Sequence, residues 1–488
     1  MFSILAQNAA QESVPVTSLI ALLIFGIVFL LVLILKFKLQ AFLALIVVSV
    51  IVSIGATFVN PDQAAGLTEI GQTIVKSMGG ALGFIATIIG IGAIFGAMLE
   101  HSGGTQSLAN TLVRKFGQKK APWAMLLTGF IISIPVFLDV ALVILAPLLY
   151  ALARDTKKSV LVFGLPLVAG MAVTHAFVPP TPGPVAVAYF LNVNLGYVIG
   201  FGVLVGLPTA IICGPFLCSR MAKLVEVTTP TDQGEDLTSE EKKLPSFLQI
   251  ASLIALPIAL ILAGTIVEQS AISGIDPGLT KAERNAQVAD ILNSMPTTNQ
   301  VIHFLGHPVI ALMISTLLAI FFLGISRGTS KEDLVEISTK ALGPAGIIIL
   351  ITGAGGVFKG VLIATGIADA LKEVFIGSPI PIIVLAYIFA TLVRIAQGSA
   401  TVAMLTAAGL MASFVEGFTQ PYLALIACAI AAGATGFSHV NDSGFWMISR
   451  YLGMTEKQTL KTWTVISTAI SLVSFGIILI LSLFIPMK

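Results

Sequence analysis

The sequence predicts an all-α polytopic membrane protein with two inverted repeats, each of five spans plus one re-entrant hairpin, with broken helices at mid-membrane. Hydrophobic residues make up 56% of the 488 residues and charged residues only 10%, whereas a soluble globular protein carries about a quarter charged residues. Several apolar runs have about 20 residues, the length of a helix that crosses the hydrocarbon core. The order of the basic clusters along the chain indicates where each crossing begins and ends.

Lys and Arg concentrate in clusters that the positive-inside rule places in the cytoplasm. These clusters lie at 36–38, 114–120, 154–158, 220–243, 327–340 and 450–461. Linkers with few or no basic residues are expected on the outer side, and they lie at 60–69, 268–303, 377–378 and 415–421. The resulting spans are approximately 17–35, 41–59, 71–99, 159–190, 195–217, 247–267, 309–325, 345–364, 422–448 and 463–485. Both termini are then expected outside.

Two apolar runs are too long for one span and too short for two. The run 121–153 has 33 residues with basic flanks on both sides, whereas two crossings would need about 40 residues. We therefore expect an inward re-entrant hairpin, with both ends in the cytoplasm and its tip at 134–142. The run 379–414 lacks basic flanks and predicts an outward hairpin with its tip at 393–401.

Two spans contain residues that interrupt a helix. Four prolines between 179 and 184 remove backbone donors from the span 159–190, which predicts a broken helix. The alternative for this stretch is an outer loop that ends the span. In the span 422–448, Asn441, Asp442 and Ser443 compete for backbone hydrogen bonds and predict a second broken helix.

A weak internal match supports a repeat. "GAMLEHSGGTQSLANTL" resembles "KGVLIATGIADALKEVF", which pairs Gly103 with Gly366. Nearly the same separation pairs His175 with His439. The predicted organisation is a first repeat over 1–217, a cytoplasmic linker over 218–246 and a second repeat over 247–488.

The polar tips and breaks predict a binding site. Inverted repeats with broken helices are typical of secondary transporters, because half-helix ends offer dipoles and free backbone groups to a polar solute. Irregular backbone at this depth also requires surrounding protein or a water-filled cavity. The predicted substrate-binding residues are Thr174, His175, Thr181, Arg394, Gln397, Gly398, Ser399, Thr401, Ser438, His439, Asn441, Asp442 and Ser443.

Four ionisable residues are candidates for proton coupling, because ionisable groups at membrane depth are costly and usually functional. Asp139 stands alone in "FLDVALVIL", and the alternative is a structural partner for a nearby cation. The histidines titrate near neutral pH. The candidates are Asp139, His175, His439 and Glu100.

Arg394 is the only arginine expected deep in the membrane. Its planar guanidinium matches a substrate carboxylate, and the alternative is an internal pair with Asp139 or Asp442. Glu100 begins "EHSGG", which is either a gating or proton-exit group or a helix end with a glycine stop.

Other classes of function are less well supported. The sequence lacks H-E-x-x-H, G-x-S-x-G and nucleotide-binding motifs, which argues against a membrane-embedded enzyme or an ATP-driven pump. A channel fits less well than alternating access, because Arg and Lys accompany Asp and His in an inverted repeat. The three cysteines have no zinc or disulfide spacing, so no metal and no cofactor is expected. A net charge of +2 suggests no nucleic-acid partner.

A resemblance to the gluconate permease family of bacterial sugar-acid transporters rests on "GGTQSLANTLV", "ISIPVFLDVALVILAPLLYALAR", "THAFVPPTPGPVAVA", "IAQGSATVAMLTAAGL" and "SHVNDSGFWMISRYLGMTEKQTLKTWT". It covers essentially the whole chain and implies proton-coupled uptake of gluconate or a related sugar acid across the bacterial inner membrane.

The family is related to the ion transporter superfamily, whose members resemble dimeric elevators with a scaffold and a moving transport domain. The resemblance therefore implies a homodimer in the lipid bilayer. The scaffold and dimer contact would be the spans 17–35, 41–59, 247–267 and 309–325. Family members also carry D-serine, fructuronate, idonate or D-glycerate. The substrate therefore stays open, and so does sodium in place of protons.

Overall fold

The computed structural model describes residues 16–61, 66–225, 227, 244–272, 281–376, 380–412, 414–415 and 417–487. Within these ranges the regular structure is helical, with no strand. Nine helices in the described ranges are long and apolar enough to cross a membrane. The chain is a multi-pass membrane protein. Most of the predicted linker, at 226 and 228–243, lies outside the described residues.

The described residues of the first half form ten α-helices. They are α1 (Val16–Leu35), α2 (Ala41–Val59), α3 (Ile70–His101), α4 (Gly104–Phe116), α5 (Ala121–Ile132), α6 (Leu138–Thr156), α7 (Leu161–Phe177), α8 (Pro182–Leu191), α9 (Leu195–Ile211) and α10 (Cys218–Met221). The gap between α7 and α8, at 178–181, is called the first break. The turn between α5 and α6, at 133–137, is the first tip.

Eleven α-helices occur in the described part of the second half. They are α11 (Phe247–Ile272), α12 (Lys281–Ser294), α13 (Thr297–Gly306), α14 (Pro308–Ala319), α15 (Lys331–Ala364), α16 (Ile367–Ile376), α17 (Ile382–Gln397), α18 (Ala400–Met411), α19 (Gln420–Thr435), α20 (Ser443–Tyr451) and α21 (Glu456–Ser482). The gap between α19 and α20, at 436–442, is the second break. The turn between α17 and α18, at 398–399, is the second tip.

The two halves repeat one order of elements. Two spans precede a long helix, with α12 and α13 inserted between the two spans of the second half, and a glycine in the left-handed conformation then begins an amphipathic helix. These glycines are Gly103, with φ 73°, and Gly366, with φ 75°. A helix pair, an interrupted helix and a final span follow in each half. The long helices α3 and α15 pack along each other, so the two halves share one core.

Glycines bring each helix pair against the interrupted helix of its own half. A Cβ atom on Gly129 of α5 would lie less than 3.0 Å from the backbone carbonyl of Leu167 in α7. A Cβ atom on Gly433 of α19 would approach the carbonyl of Tyr387 in α17 equally closely. Because backbones approach this closely only where side chains are small, these contacts position each tip beside a break.

Contacts between turns join segments that the charge pattern assigns to the same side. The backbone N–H of Asn194 donates to Gln420 Oε1 (2.7 Å), and Thr265 Oγ1 donates to Asn194 Oδ1 (2.8 Å). All three lie near predicted outer turns. On the opposite side, the hydroxyl of Tyr150 donates to the backbone carbonyl of Tyr451 (2.8 Å).

Candidate functional site

The second break is held in place by α21. The backbone N–H of Ser438 donates to Ser467 Oγ (3.2 Å), and its carbonyl accepts a hydrogen bond from the Thr464 hydroxyl. The indole Nε1–H of Trp463 donates to Ser438 Oγ (2.8 Å). Ser438 is fully buried, so its polar groups need these partners. The final span therefore determines the conformation of the break.

Arg394 joins the second tip to the second break. Its Nε donates to the carbonyl of Gly436 (3.0 Å), and a terminal nitrogen donates to the carbonyl of Gly398. The other terminal nitrogen forms an ion pair with Asp442 Oδ2 (2.6 Å). Arg394 is only 4% exposed. Of the two roles that the sequence allowed, the structure contains the internal pair with Asp442.

Asp442 uses both carboxylate oxygens. Oδ2 accepts hydrogen bonds from Arg394 and from the hydroxyl of Ser438. Oδ1 accepts from the backbone N–H of Gly444 (2.9 Å), so Asp442 also caps the N-terminus of α20. The carboxylate links the tip, the break and the following half-helix.

Two more side chains connect the second break to α17. Asn441 Nδ2 donates to the backbone carbonyl of Ile395 (2.8 Å), and His439 Nε2 lies 3.2 Å from the same oxygen. Because a carbonyl only accepts, this contact is a hydrogen bond in the tautomer that carries the proton on Nε2. Gly398 has φ 78°, and an added Cβ atom would lie less than 3.0 Å from the backbone of Asn441. The second tip and the second break form one tightly packed unit.

An exposed polar face borders this unit. Asp139, in the first turn of α6, is exposed and lies within electrostatic range of Asp442, since α6 packs against α20. Asn441 and Ser443 are also exposed. Ser399 caps α18, accepting a hydrogen bond from the backbone N–H of Val402 (3.4 Å). Ser399, Thr401 and His439 are half-buried. Exposed polar side chains among apolar helices favour a surface that water reaches.

The first break uses neutral contacts. Thr174 Oγ1 donates to the carbonyl of Phe130 in α5 (2.7 Å), and Thr181 Oγ1 donates to the carbonyl of Val178 (2.7 Å). Both threonines are buried. Their hydroxyl protons are therefore used within the protein.

His175 lines a small cavity between the first break, the first tip and α3. The cavity has a volume of about 20 Å³ and is lined by Gly92, Phe137, Thr181 and several apolar side chains. His175 Nδ1 is buried and has no hydrogen-bond partner among the described residues. This volume suits about one water molecule and is too small for a sugar acid. Gln397 Nε2, beside the second tip, is likewise buried without a partner in the described chain.

The family assignment comes from the sequence of nearly the whole chain. A family model described as GntP family permease matches residues 18–484. The chain belongs to this family. It is 37% identical over 469 residues to the inner membrane permease YgbN of Escherichia coli (strain K12), covering 94% of this chain and 97% of that protein. It is 37% identical over 467 residues to a gluconate permease of Bacillus subtilis (strain 168), covering 94% and 98%.

A solved transporter shares the fold of this GntP family permease. MtrF from Neisseria gonorrhoeae superposes with a TM-score of 0.62 at 14% sequence identity, over 92% of this chain and 96% of that chain. This likeness shows a shared fold. The relatives of the chain are permeases and transporters, so the permease is a transporter rather than an enzyme.

Glu100 lies apart from the other candidate residues of the permease. It is half-buried in the last turn of α3, where Gly103 ends the helix and donates to the Glu100 carbonyl (3.0 Å). At 1.5 Å per residue, it is roughly 12 Å along the helix from Gly92 of the cavity. No group of metal-ligating side chains occurs in the part of the chain that the structure describes.

The sequence prediction omitted the residues of α21 that support the second break. Trp463, Thr464 and Ser467 lie in a run that reads as an ordinary apolar span. Ser467, Ser471 and Ser474 are fully buried, and their spacing places them along one face of the helix. That stripe of hydroxyls was the available signal.

Proposed function

We propose that this permease takes up gluconate or a closely related sugar acid together with protons across the bacterial inner membrane. Family membership and the gluconate permease relatives support the substrate class. The observation that carries the proposal is the exposed polar face on which Asp139 adjoins the Arg394–Asp442 pair. Asp139 has no ion-pair partner among the described residues, whereas Arg394 neutralises Asp442. Asp139 can therefore take up a proton when the anionic substrate binds.

The substrate carboxylate binds at the N-terminus of α18. Backbone N–H groups in the first turn of a helix have no helical partner and attract anions. Ser399 caps this turn and Thr401 lies within it, both half-buried on the exposed face. The unpartnered Gln397 amide supplies a further donor beside the second tip. Arg394 positions the tip rather than contacting the carboxylate, because its guanidinium is buried and bonded internally.

The substrate hydroxyls contact the second break. Asn441 and Ser443 are exposed there, and His439 is half-buried. Ser438 and Asp442 support these residues and do not contact the substrate, because their polar atoms are bonded within the protein. Thr174, His175 and Thr181 line the side of the binding site opposite the second break. The cavity beside His175 allows these side chains to move.

Charge balance explains the need for a proton. Arg394 neutralises Asp442, while Asp139 and the substrate carboxylate would add two negative charges to the same region. Like charges near each other repel, and a bound substrate also displaces water from between them, so binding the anion favours a protonated Asp139. The proton then travels with the substrate.

Alternating access follows from the two halves acting as inverted repeats. The hairpins (α5–α6 and α17–α18) and the two broken helices form the moving part. The scaffold and dimer contact would include α1, α2, α11 and α14. In this arrangement both termini face the periplasm. The repeated element order and the packing of each pair on its interrupted helix support this arrangement.

Uptake by purified protein in liposomes tests the substrate class. We expect labelled gluconate to accumulate when an inward pH gradient is imposed, and an uncoupler to abolish the accumulation. Unlabelled idonate, fructuronate, D-glycerate and D-serine, each tested as competitors with and without sodium, rank the alternative substrates. Accumulation that requires sodium and ignores the pH gradient would contradict proton coupling.

Asp139→Asn tests the coupling residue. We expect this variant to lose uphill accumulation but to keep gluconate exchange between equal concentrations, because exchange needs no net proton movement. Asp155→Asn, an exposed acid near the other end of α6, is the matched control and should retain accumulation. Uphill uptake by Asp139→Asn would refute the role of Asp139. Unchanged affinity in both Ser399→Ala and His439→Ala would refute the binding site.

A further inference from the structure

We propose that Trp463 is a positioning residue, which acts through Ser438 to keep Asp442 paired with Arg394. The inference rests on the proposed function, because it concerns which carboxylate of that site is free to take the proton. It adds a residue of the last span to a site formed otherwise by the tips and breaks.

The direction of the hydrogen bonds is determined by the indole. An indole Nε1–H donates and does not accept, so Ser438 Oγ is the acceptor of the 2.8 Å bond from Trp463. A serine hydroxyl has one proton, and the remaining neighbour of Ser438 Oγ is Asp442 Oδ2. The hydroxyl proton therefore points to the carboxylate.

The backbone of Ser438 is also held by α21, so the indole N–H of Trp463 has only the hydroxyl left to orient. Its backbone N–H and carbonyl are bonded to Ser467 and Thr464, one turn along α21 from each other. Trp463 is 4% exposed and Ser438 is fully buried, so water does not replace either partner. The three residues of α21 hold one serine in a single orientation.

The consequence concerns charge. With Trp463 in place, Asp442 accepts hydrogen bonds from Arg394, Ser438 and Gly444, so both of its oxygens are used within the protein. The other ionisable groups at this position are Asp139 of α6 and His439 of the break. Asp139 is within electrostatic range of Asp442, and with Asp442 engaged by three donors, Asp139 is the acid left to accept a proton. Trp463 thereby helps to keep Asp442 engaged and Asp139 free.

The test is Trp463→Phe, which keeps an aromatic ring and removes the N–H. The matched control is Trp446→Phe, since Trp446 donates its N–H to the carbonyl of Val440 in the same break (2.8 Å) but is 46% exposed and does not contact Ser438. Gluconate counterflow is measured at equal pH on both sides, from pH 5 to 8, together with KM and the maximal rate.

We expect Trp463→Phe to lower the maximal rate and to move the acid limb of the pH profile upward by about one pH unit, because the Ser438 hydroxyl, no longer held by the indole N–H, is free to turn away from Asp442. KM for gluconate should change by less than about twofold, since Trp463 does not contact the substrate. Trp446→Phe should keep the wild-type profile. A Trp463→Phe profile that coincides with that of Trp446→Phe overturns the inference, whereas absence of gluconate transport by the wild-type protein overturns the proposed function instead.

Two further variants separate positioning from packing. Ser438→Ala should reproduce the pH shift, and the double variant Ser438→Ala/Trp463→Phe should shift no further than Ser438→Ala alone, because both changes break the same chain. Additive shifts contradict the inference. If Trp463→Phe does not fold, 3-benzothienylalanine at position 463 keeps the bicyclic shape and replaces the N–H with sulfur. A wild-type pH profile with this residue would equally overturn the inference.

Discussion

The second break is joined to α17 by an ion pair, whereas the first break is joined to α5 by a neutral hydrogen bond. At the second break, Arg394, Asp442 and Ser438 satisfy one another in a buried network. At the end of α7, next to the first break, Thr174 donates to Phe130, while His175 lines a cavity of about 20 Å³ and its Nδ1 has no described partner.

This difference separates a rigid surface from an adjustable one. A buried network with every member satisfied holds one geometry, and removing one member leaves another charge or donor without compensation. A neutral contact beside a small cavity can rearrange at low cost, because no charge has to leave its partner. We infer that the second break presents a fixed binding surface, while the first break accommodates the change that follows binding.

Removing the arginine gives the largest expected effect. Arg394→Ala leaves Asp442 as a buried charge without its partner, which typically costs about 3–5 kcal/mol. We expect a large fall in the thermal unfolding midpoint in detergent and loss of gluconate uptake. Arg394→Lys should be intermediate, since an ammonium cannot reach all three acceptors. Arg450→Ala, at an exposed arginine beyond the second break, is the control. Equal unfolding midpoints for Arg394→Ala and Arg450→Ala would contradict the rigid network.

A methyl group at the second tip tests how tightly it packs. Gly398 and Gly417 both have positive φ, which costs a non-glycine residue about 1–2 kcal/mol. A Cβ atom at Gly398 would collide with the backbone of Asn441, while one at Gly417 meets nothing within 4 Å. We expect Gly398→Ala to destabilise the protein by at least about 1 kcal/mol more than Gly417→Ala. Equal thermal unfolding midpoints for the two variants would mean that the tip can move away from the break.

The neutral hydrogen bond beside the first break should contribute least to the stability of the protein. Thr174→Val removes the hydrogen bond to Phe130 and should cost about 1 kcal/mol. Thr128→Val is the matched control on α5, because Thr128 is equally buried but its hydroxyl has no partner among the described residues. Its replacement should be neutral or slightly stabilising. If thermal unfolding showed that Thr174→Val loses more stability than Arg394→Ala, the comparison of the two breaks would be reversed.

Hydropathy predicted the spans well because apolar length is a local property. The predicted spans 17–35 and 41–59 lie within one residue of α1 and α2. α15 begins at Lys331 rather than at 345, because its first turns are charged and read as a cytoplasmic linker. Ser330, which caps this helix by accepting from the N–H of Asp333 (3.0 Å), was the local signal of the earlier start.

The pairing of the candidate residues could not be read from the sequence in the same way. From the sequence, Arg394 could pair with either Asp139 or Asp442. Its pairing with Asp442 depends on Ser438 and Gly444, which orient that carboxylate. Trp463 was missed because an aromatic residue near the end of a span is ordinary, and its bond to Ser438 exists only in the folded protein. The substrate and proton roles of these residues remain predictions.

Protection of a cysteine at the second break tests the site most directly. Ser443→Cys places a thiol on the exposed face, while the native Cys213, Cys218 and Cys428 are buried and react slowly with a charged thiol reagent. With gluconate at ten times its half-saturating concentration, we predict that labelling of detergent-solubilised Ser443→Cys slows about tenfold, because only the unoccupied fraction reacts. Labelling of Ser326→Cys, at an exposed position distant in sequence, should be unaffected. Unchanged labelling of Ser443→Cys in a variant that still transports gluconate would contradict binding at the second break.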